Sequence, residues 1–316
     1  MITWKGIFPA VTTKFTPDDK LDFKTFGKNL EAQLGAGVEG VIIGGTLGES
    51  SVLSPNEKDE LLKFTLEKVA GRVPVVLNIA EGATRDAINI AESAQQKGVS
   101  ALMLLPPMRY KSDHRETVTY FKSVADSTDL QIMIYNNPID YKVDVTLDMF
   151  EELSACKNID AVKESTRDVV NVTRMINRFG DRYSVMTGVD TLALESLLMG
   201  AKGWVAGLVC AFPQETVAIY NLAMEGRIKE AVELNRWFMP LLELDTFSKL
   251  VQYIKLAEAE VGLGTETVRA PRLILSGSER TQVLNVIREA IKNRPELPAT
   301  IVHKKKKSFV TDDDLK

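Results

Sequence analysis

The sequence is poor in the side chains that build disulfides, metal sites and histidine-dependent active sites. Among its 316 residues are two cysteines, Cys156 and Cys210, and two histidines, His114 and His303. The cysteines lie far apart and no second pair exists, so neither a disulfide framework nor a zinc site is expected. A three-histidine metal site is excluded, and a Ser-His-Asp triad is disfavoured because so few imidazoles are available for it. The scarcity of cysteine is typical of a reduced, cytoplasmic protein.

Long hydrophobic runs and an excess of positive charge are missing as well. The chain has no run of about 18 uncharged apolar residues, so we expect no membrane span. Residues 1–6 are too polar for the start of a signal peptide. Lysine and arginine total 39 against 43 aspartate and glutamate residues, which gives a net charge of −4. A nucleic-acid-binding protein usually has a basic face, so we expect neither nucleic acid nor a membrane as a partner.

The chain does contain a regular alternation of apolar β-rich runs and amphipathic helical segments. In the helical segments the apolar side chains recur on one face, as Phe23, Phe26, Leu30 and Leu34 do. The predicted strands are residues 7–12, 38–43, 73–78, 101–105, 130–135, 159–163, 183–186 and 204–208. Eight strands alternating with helices predict a parallel sheet, and eight is the number that closes a (β/α)₈ TIM barrel. An open, doubly wound sheet is the alternative.

The pattern changes after the eighth strand. Residues 1–212 are predicted to form the barrel, and residues 213–296 a C-terminal helical extension packed on it. Residues 297–316 form a separate tail with four consecutive lysines at 304–307. A lysine run of this kind is found in tails that bind nucleic acid or membranes. It is also typical of a solvated, flexible extension, which is the interpretation we favour.

Lys163 is the most informative single residue. It ends the sixth predicted strand, and in a TIM barrel the active site lies at the carboxyl ends of the strands. Burial there would disfavour its charged form, and a neutral amine can attack a carbonyl carbon and form a Schiff base. The alternative is a structural lysine paired with Glu164 or another acid.

Two further residues at strand ends are candidates for chemistry. Tyr135 ends the fifth strand, and a phenol can relay protons when another hydroxyl is within reach. Thr46 lies in the glycine-rich loop after the second strand, where exposed amides could bind a carboxylate. Tyr135 could instead be a structural tyrosine at the rim with a hydrogen-bonded hydroxyl, and the glycines around Thr46 could simply form a tight turn.

Three motifs together resemble the dihydrodipicolinate synthase / N-acetylneuraminate lyase family. They are Gly45-Thr46-Leu47-Gly48-Glu49-Ser50, Tyr135-Asn136-Asn137-Pro138 and Val162-Lys163-Glu164-Ser165, within a match over residues 4–295. The resemblance implies a class I Schiff-base lyase or hydro-lyase acting on a 2-oxo acid, with no metal or organic cofactor. It also implies a homo-oligomer, either a dimer or a tetramer.

The resemblance also implies roles for individual residues. Lys163 would form the imine, and Tyr135 and Thr46 would relay protons. The backbone amides of Thr46 and Leu47 would hold the substrate carboxylate. Gly45, Gly188 and Val205 match positions that line the pocket.

The sequence departs from the lysine-pathway members of this family at three places. Leu47 stands where a second threonine is common. Met108 appears at the place of a tyrosine that reaches into the neighbouring subunit, so a shared active site is in doubt. Asp140 stands where those enzymes carry an arginine for the aldehyde substrate's carboxylate, and a carboxylate there would repel that group.

Other stretches resemble 1-pyrroline-4-hydroxy-2-carboxylate deaminases of hydroxyproline degradation. They are residues 104–113, 236–242 and 251–255. We therefore expect a substrate that is a small 2-oxo acid or its cyclic imine, with this deaminase as the leading hypothesis. A 2-keto-3-deoxy sugar acid dehydratase or aldolase is the next, followed by 4-hydroxy-tetrahydrodipicolinate synthase. A catalytically silent binding barrel is disfavoured because Lys163 and Tyr135 are both present. A phosphosugar enzyme is disfavoured because the loops after strands seven and eight are neither basic nor dense in glycine.

Overall fold

Eight short parallel strands form a single sheet in the computed structural model, which describes residues 1–107 and 110–299. The strands are β1 Gly6–Pro9, β2 Val41–Ile43, β3 Val75–Ile79, β4 Ala101–Leu104, β5 Gln131–Asn136, β6 Ile159–Glu164, β7 Ser184–Thr187 and β8 Gly203–Ala206. Each strand overlaps the corresponding predicted run, with ends that differ by up to three residues. Position 108, one of the departures noted above, lies outside the described residues.

The sheet closes on itself. Its strand order is β1-β8-β7-β6-β5-β4-β3-β2, and the two ends meet through a parallel bridge between Ala10 and Ile42. The Val11 amide donates a hydrogen bond of 2.9 Å to the Ile42 carbonyl at the same seam. An open, doubly wound sheet would leave two unpaired edges, so the predicted (β/α)₈ barrel is confirmed and the open-sheet alternative is wrong.

Helices follow the strands around the barrel. They are α1 Phe23–Ala36, α2 Pro55–Val69, α3 Thr84–Gln96, α4 His114–Ala125, α5 Pro138–Tyr141, α6 Leu147–Leu153, α7 Val170–Phe179, α8 Ala193–Leu198 and α9 Pro213–Met224. Local sequence explains several boundaries. The Ser54 side chain accepts from the Glu57 amide while the Glu57 carboxylate accepts from the Ser54 amide, a capping box with Pro55 at the first helical position. Gly37 ends α1 at φ 98°, in the left-handed region that glycine adopts without strain.

The C-terminal extension begins after α9. Helix α9 packs against α1, α8 and β1, which is the place of the barrel's eighth helix. The helical region 213–296 predicted to follow the barrel thus includes that eighth helix. The extension itself contains α10 Ile228–Leu242, α11 Leu250–Glu260 and α12 Gly277–Lys292, and a 3₁₀ turn at Glu243–Thr246 lies between α10 and α11. Of the tail, residues 300–316, including the lysine run, lie outside the described part of the chain.

Burial of both faces of the sheet accounts for the apolar strand sequences. Leu102, Ile134 and Val162 are fully buried, as strands covered by helices on one side and by the barrel interior on the other require. Each such side chain contributes about 1.5–3 kcal/mol to stability through burial alone. None of the helices within residues 1–107 and 110–299 is long and apolar enough to cross a membrane.

Candidate active site

The register of β5 and β6 brings Tyr135 and Lys163 together. The two residues are direct partners across the parallel strand pair, so their side chains point to the same side of the sheet. The Lys163 Nζ lies 3.9 Å from the centre of the Tyr135 ring, over its face. A lysine at the mouth of the barrel therefore has an aromatic wall on one side.

Burial sets the protonation state of Lys163. The residue is 7% exposed, and desolvation lowers the pKa of its amine. The carboxyl groups of Asp245, Asp190 and Asp140 act in the opposite direction, as does the Tyr141 hydroxyl group, but burial is the larger effect. The site therefore favours a larger fraction of neutral amine than an exposed lysine has.

The hydroxyl groups of Thr46, Tyr135 and Tyr141, all in the cavity with Lys163, do not form one hydrogen-bonded chain. Thr46 Oγ1 is hydrogen-bonded to the Tyr141 hydroxyl at 2.6 Å, and the rings of Tyr135 and Tyr141 meet edge to face with centroids 5.3 Å apart. The Tyr135 hydroxyl accepts a hydrogen bond of 3.3 Å from Asn137 Nδ2. Burial raises the pKa of Tyr135 to about 12 and also raises that of Tyr141. Both phenols are therefore proton donors near neutral pH.

The loop after β2 presents backbone amides to the same space. Within the described residues, the amides of Thr46 and Leu47 donate no hydrogen bond, whereas those of Glu49 and Ser50 bond back to the Thr46 and Gly45 carbonyls at 3.0 and 3.3 Å. Free, adjacent N–H groups of this kind can bind a carboxylate.

Buried ion pairs fix that loop from beneath. Glu49, with φ 52°, is paired with Lys255 of α11, and both side chains are fully buried. The Arg269 amide donates to the same carboxylate at 3.1 Å, while Lys14 and Glu258 form a second buried pair at 2.9 Å. The extension is thereby bonded to the site loop.

Gly188 leaves room for the lysine. A Cβ built on Gly188 would lie 2.6 Å from both Cγ and Cε of Lys163 and 2.2 Å from Ser165 Oγ. Any larger residue after β7 would therefore have to displace the lysine.

All seven residues singled out from the sequence line one cavity at the carboxyl ends of the strands. They are Gly45, Thr46, Leu47, Tyr135, Lys163, Gly188 and Val205. Within the described residues, no cluster of three or more histidine, cysteine or acidic side chains is arranged to hold a metal ion.

The cavity also has walls that the sequence analysis missed. Tyr141 comes from the one-turn helix α5, Arg167 from the loop after β6, and Asp245 from the C-terminal extension. The position of Tyr141 three residues after Pro138 is a weak signal for it. No pattern in the sequence connects Asp245, which follows the eighth strand by about 40 residues, with this cavity.

Comparison with known proteins gives one consistent result. A sequence profile of the dihydrodipicolinate synthetase family matches residues 3–290. A 4-hydroxy-tetrahydrodipicolinate synthase of Bartonella bacilliformis is 31% identical over 277 residues, which cover 87% of this chain and 94% of that protein.

Solved structures agree with this result. The crystal structure of a dihydrodipicolinate synthase of Bacillus anthracis has a TM-score of 0.87 at 30% identity, over 91% of this chain and 99% of that one. The enzyme of Acinetobacter baumannii complexed with pyruvate has a TM-score of 0.87 at 26% identity, over 91% and 99% of the two chains.

Proposed function

Because this chain belongs to the dihydrodipicolinate synthetase family, whose members are lyases that form a Schiff base on a lysine, we propose that Lys163 is the lysine that reacts. The burial that lowers its pKa supports this role, since only the neutral amine is a nucleophile. The alternative of a structural ion pair with Glu164 is not supported, because the Glu164 carboxylate accepts hydrogen bonds from Thr166 and Asn171 instead.

We infer that the substrate carboxylate binds at the loop after β2. The unbonded amides of Thr46 and Leu47 support this placement. A carboxylate held there would orient the neighbouring carbonyl or imine carbon toward Lys163, which lines the same cavity.

We assign proton transfer to Tyr135 and Thr46, with Tyr141 as an intermediary. The Tyr135 ring packs against the amine of Lys163, so its hydroxyl is a candidate acid for an intermediate formed on that nitrogen. Thr46 reaches the site through its hydrogen bond with Tyr141 rather than through a direct bond with Tyr135. Within the described residues no hydrogen bond joins Tyr135 to the Thr46–Tyr141 pair, so a proton relay over the three hydroxyl groups of one subunit would pass through the bound substrate or a water molecule.

The leading candidate for the reaction is 1-pyrroline-4-hydroxy-2-carboxylate deamination. Asp140 is the main support for this choice. It lines the cavity, and by the family resemblance it stands where the lysine-pathway enzymes carry an arginine for a second substrate carboxylate. With Asp190 also near Lys163, the site disfavours a dianionic intermediate. A cyclic imine with a single carboxylate avoids that repulsion.

The proposed reaction starts when the Lys163 amine adds to C2 of the cyclic imine. The ring nitrogen leaves as the substrate's own amine, which opens the ring and transfers the imine to Lys163. Loss of a C3 proton and of the 4-hydroxyl as water produces a C3–C4 double bond conjugated with that imine. Migration of the unsaturation to the C5–N bond and hydrolysis of both imines then release ammonia and 2,5-dioxopentanoate. Overall, the substrate and one water become the product and ammonia.

The second candidate is 4-hydroxy-tetrahydrodipicolinate synthesis. The names of the similar proteins favour it, and so does Arg167, an exposed residue that lines the cavity and has no hydrogen bond or ion pair within the described residues. A guanidinium at this rim could hold the second carboxylate that Asp140 repels.

A side-by-side assay decides between these reactions. Ammonia release from 1-pyrroline-4-hydroxy-2-carboxylate is compared with condensation of pyruvate and aspartate semialdehyde, and with dehydration or cleavage of a panel of 2-keto-3-deoxy sugar acids. We expect the highest kcat/KM with the cyclic imine and negligible condensation, and Lys163→Ala should abolish every activity. Efficient condensation would overturn the deaminase assignment in favour of the synthase, and preferred turnover of a sugar acid would support the dehydratase or aldolase.

We also infer a cytoplasmic homo-oligomer, a dimer or a tetramer. Both cysteines are free, as expected in a reducing compartment. Sedimentation velocity over a range of concentrations measures the oligomeric state, and a monomer at all concentrations would contradict this inference.

A further inference from the structure

The C-terminal extension places one carboxyl group in the mouth of the barrel. Asp245 lies in the 3₁₀ turn Glu243–Thr246 and lines the same cavity as Lys163. Its carboxyl group lies close to Gly207, the residue after β8. A Cβ built on Gly207 would be 2.6 Å from Asp245 Oδ1. The absence of a side chain at Gly207 is therefore what allows the carboxyl group to reach this position.

The neighbouring carboxyl group, that of Asp190, has three hydrogen-bond donors. Asp190 is buried and accepts hydrogen bonds from Trp204 Nε1 and the Leu208 amide, both at 2.8 Å, and from the Gly207 amide at 3.2 Å. Burial raises the pKa of Asp190, and the three donors oppose that shift by stabilising its negative charge. Asp245 therefore lies beside a second buried carboxyl group, whose negative charge raises the pKa of Asp245.

The remaining groups around Asp245 do little to stabilise a negative charge on its carboxyl group. Asp140 also faces it and has its own donor, Asn137 Nδ2, at 2.7 Å. Two basic groups are nearby. Burial lowers the pKa of Lys163, and Arg167 is exposed to water at the rim of the cavity. Within the described residues, the Asp245 carboxyl group has no hydrogen-bond donor of its own. It is the carboxyl group of this site that is best suited to keep a proton.

We propose that Asp245 is the catalytic acid that protonates the substrate's hydroxyl group as it leaves. This role rests on the proposed function, in which an enamine on Lys163 expels the 4-hydroxyl group. The enamine electron pair forms the C3–C4 double bond, the C4–O bond breaks with its electrons on oxygen, and the Asp245 proton completes the departing water. The proton lost from C3 re-enters the solvent pool, from which the Asp245 carboxylate is reprotonated.

The electrostatics of the site agree with this assignment. Burial, followed by the charge of Asp190, raises the pKa of Asp245 well above its ordinary range. Tyr141 is a weaker acid whose hydroxyl is engaged with Thr46. A carboxyl group whose pKa is raised in this way keeps its proton to a higher pH than an ordinary aspartate, which suits an acid that protonates a leaving hydroxyl group.

The test compares Asp245→Asn with Glu243→Gln, a control on the exposed side of the same turn. We expect Asp245→Asn to slow ammonia release from 1-pyrroline-4-hydroxy-2-carboxylate by about 10²–10⁴-fold, the usual range for a general acid. Trapping of pyruvate on Lys163 by borohydride should remain at the wild-type level in both variants. In the wild-type enzyme, the rate should fall as pH rises through the Asp245 pKa, and Asp245→Asn should lose that limb of the profile.

A 4-fluoro analogue of the substrate separates acid catalysis from a structural role. Fluoride leaves without needing a full proton transfer, so Asp245→Asn should lose less than about tenfold in fluoride release. Equal losses with both leaving groups, loss of pyruvate trapping, or near-normal ammonia release would each overturn the proposal. If the wild-type enzyme expels no hydroxyl group from any substrate, the proposed function itself fails, and the role of Asp245 fails with it.

Discussion

Substitution of Gly188 by alanine tests the packing on which the site depends. A methyl group there would lie 2.6 Å from two carbons of Lys163, whereas carbon atoms in contact are about 3.5–4.0 Å apart. The Lys163 stem must therefore move by about 1 Å. Because the Gly188 backbone is not in the left-handed region, crowding alone determines the effect.

The expected loss is larger in activity than in stability. Overpacking of this kind lowers the free energy of unfolding by about 1–3 kcal/mol, and a 1 Å misplacement of a reacting group costs about 10²-fold in rate. We therefore expect Gly188→Ala to fold, to melt a few degrees lower, and to trap pyruvate about 10²-fold more slowly. The measurements are borohydride trapping rates and calorimetric melting.

Gly35→Ala is the matched control. Gly35 lies in α1, where a Cβ has no neighbour within 4 Å, so this variant should keep the wild-type trapping rate. It should also gain about 0.5–1 kcal/mol of stability, as alanine does over glycine within a helix. Wild-type trapping by Gly188→Ala would refute the reasoning, since the lysine would then tolerate displacement.

Three other perturbations test separate parts of the account. Tyr135→Phe keeps the ring over Lys163 but removes the hydroxyl, and steady-state turnover should fall by about 10²–10⁴-fold. Thr46→Val should lose less turnover, because water can replace its hydroxyl. Near-full activity of Tyr135→Phe would exclude the relay. The rate of pyruvate trapping should rise with pH through the lowered pKa of Lys163 and then level off, since the neutral amine reacts; a rate that keeps rising up to the ordinary lysine pKa would contradict that. Glu49→Gln leaves the buried Lys255 without a counter-charge and should lower the free energy of unfolding by about 3–5 kcal/mol. An unchanged denaturation midpoint would show that this ion pair does not join the extension to the barrel.

The sequence predicted the barrel because its strands are buried on both faces. Such strands appear as separate apolar runs, and eight of them leave few topologies to consider. Lys163 and Tyr135 could be placed at one mouth for the same reason, since each ends a run and consecutive parallel strands end at the same edge. In the structure Tyr135 and Lys163 are partners in the sheet register, which is why both side chains line the same cavity.

The sequence did not predict the contacts that depend on side-chain direction or on the extension. The bond from Thr46 to Tyr141, rather than to Tyr135, depends on how α5 turns after Asn137 caps it. The entry of Asp245 into the mouth depends on packing of a segment distant in sequence. The sequence also could not separate α9 from the helices that follow it, because all of them are helical and only packing against α1, α8 and β1 places α9 beside the barrel.

Every later step of the proposed reaction depends on a Schiff base at Lys163. The most direct measurement is borohydride reduction in the presence of pyruvate, followed by digestion and peptide mapping by mass spectrometry. Lys255 is the informative competitor, because burial lowers its pKa as well, to about 8, yet it is paired with Glu49 and lies away from the cavity lining. We predict a single reduced adduct on Lys163, absent from Lys163→Ala, whose fold should be unchanged. An adduct on Lys255, or no adduct in the wild-type protein, would contradict the account.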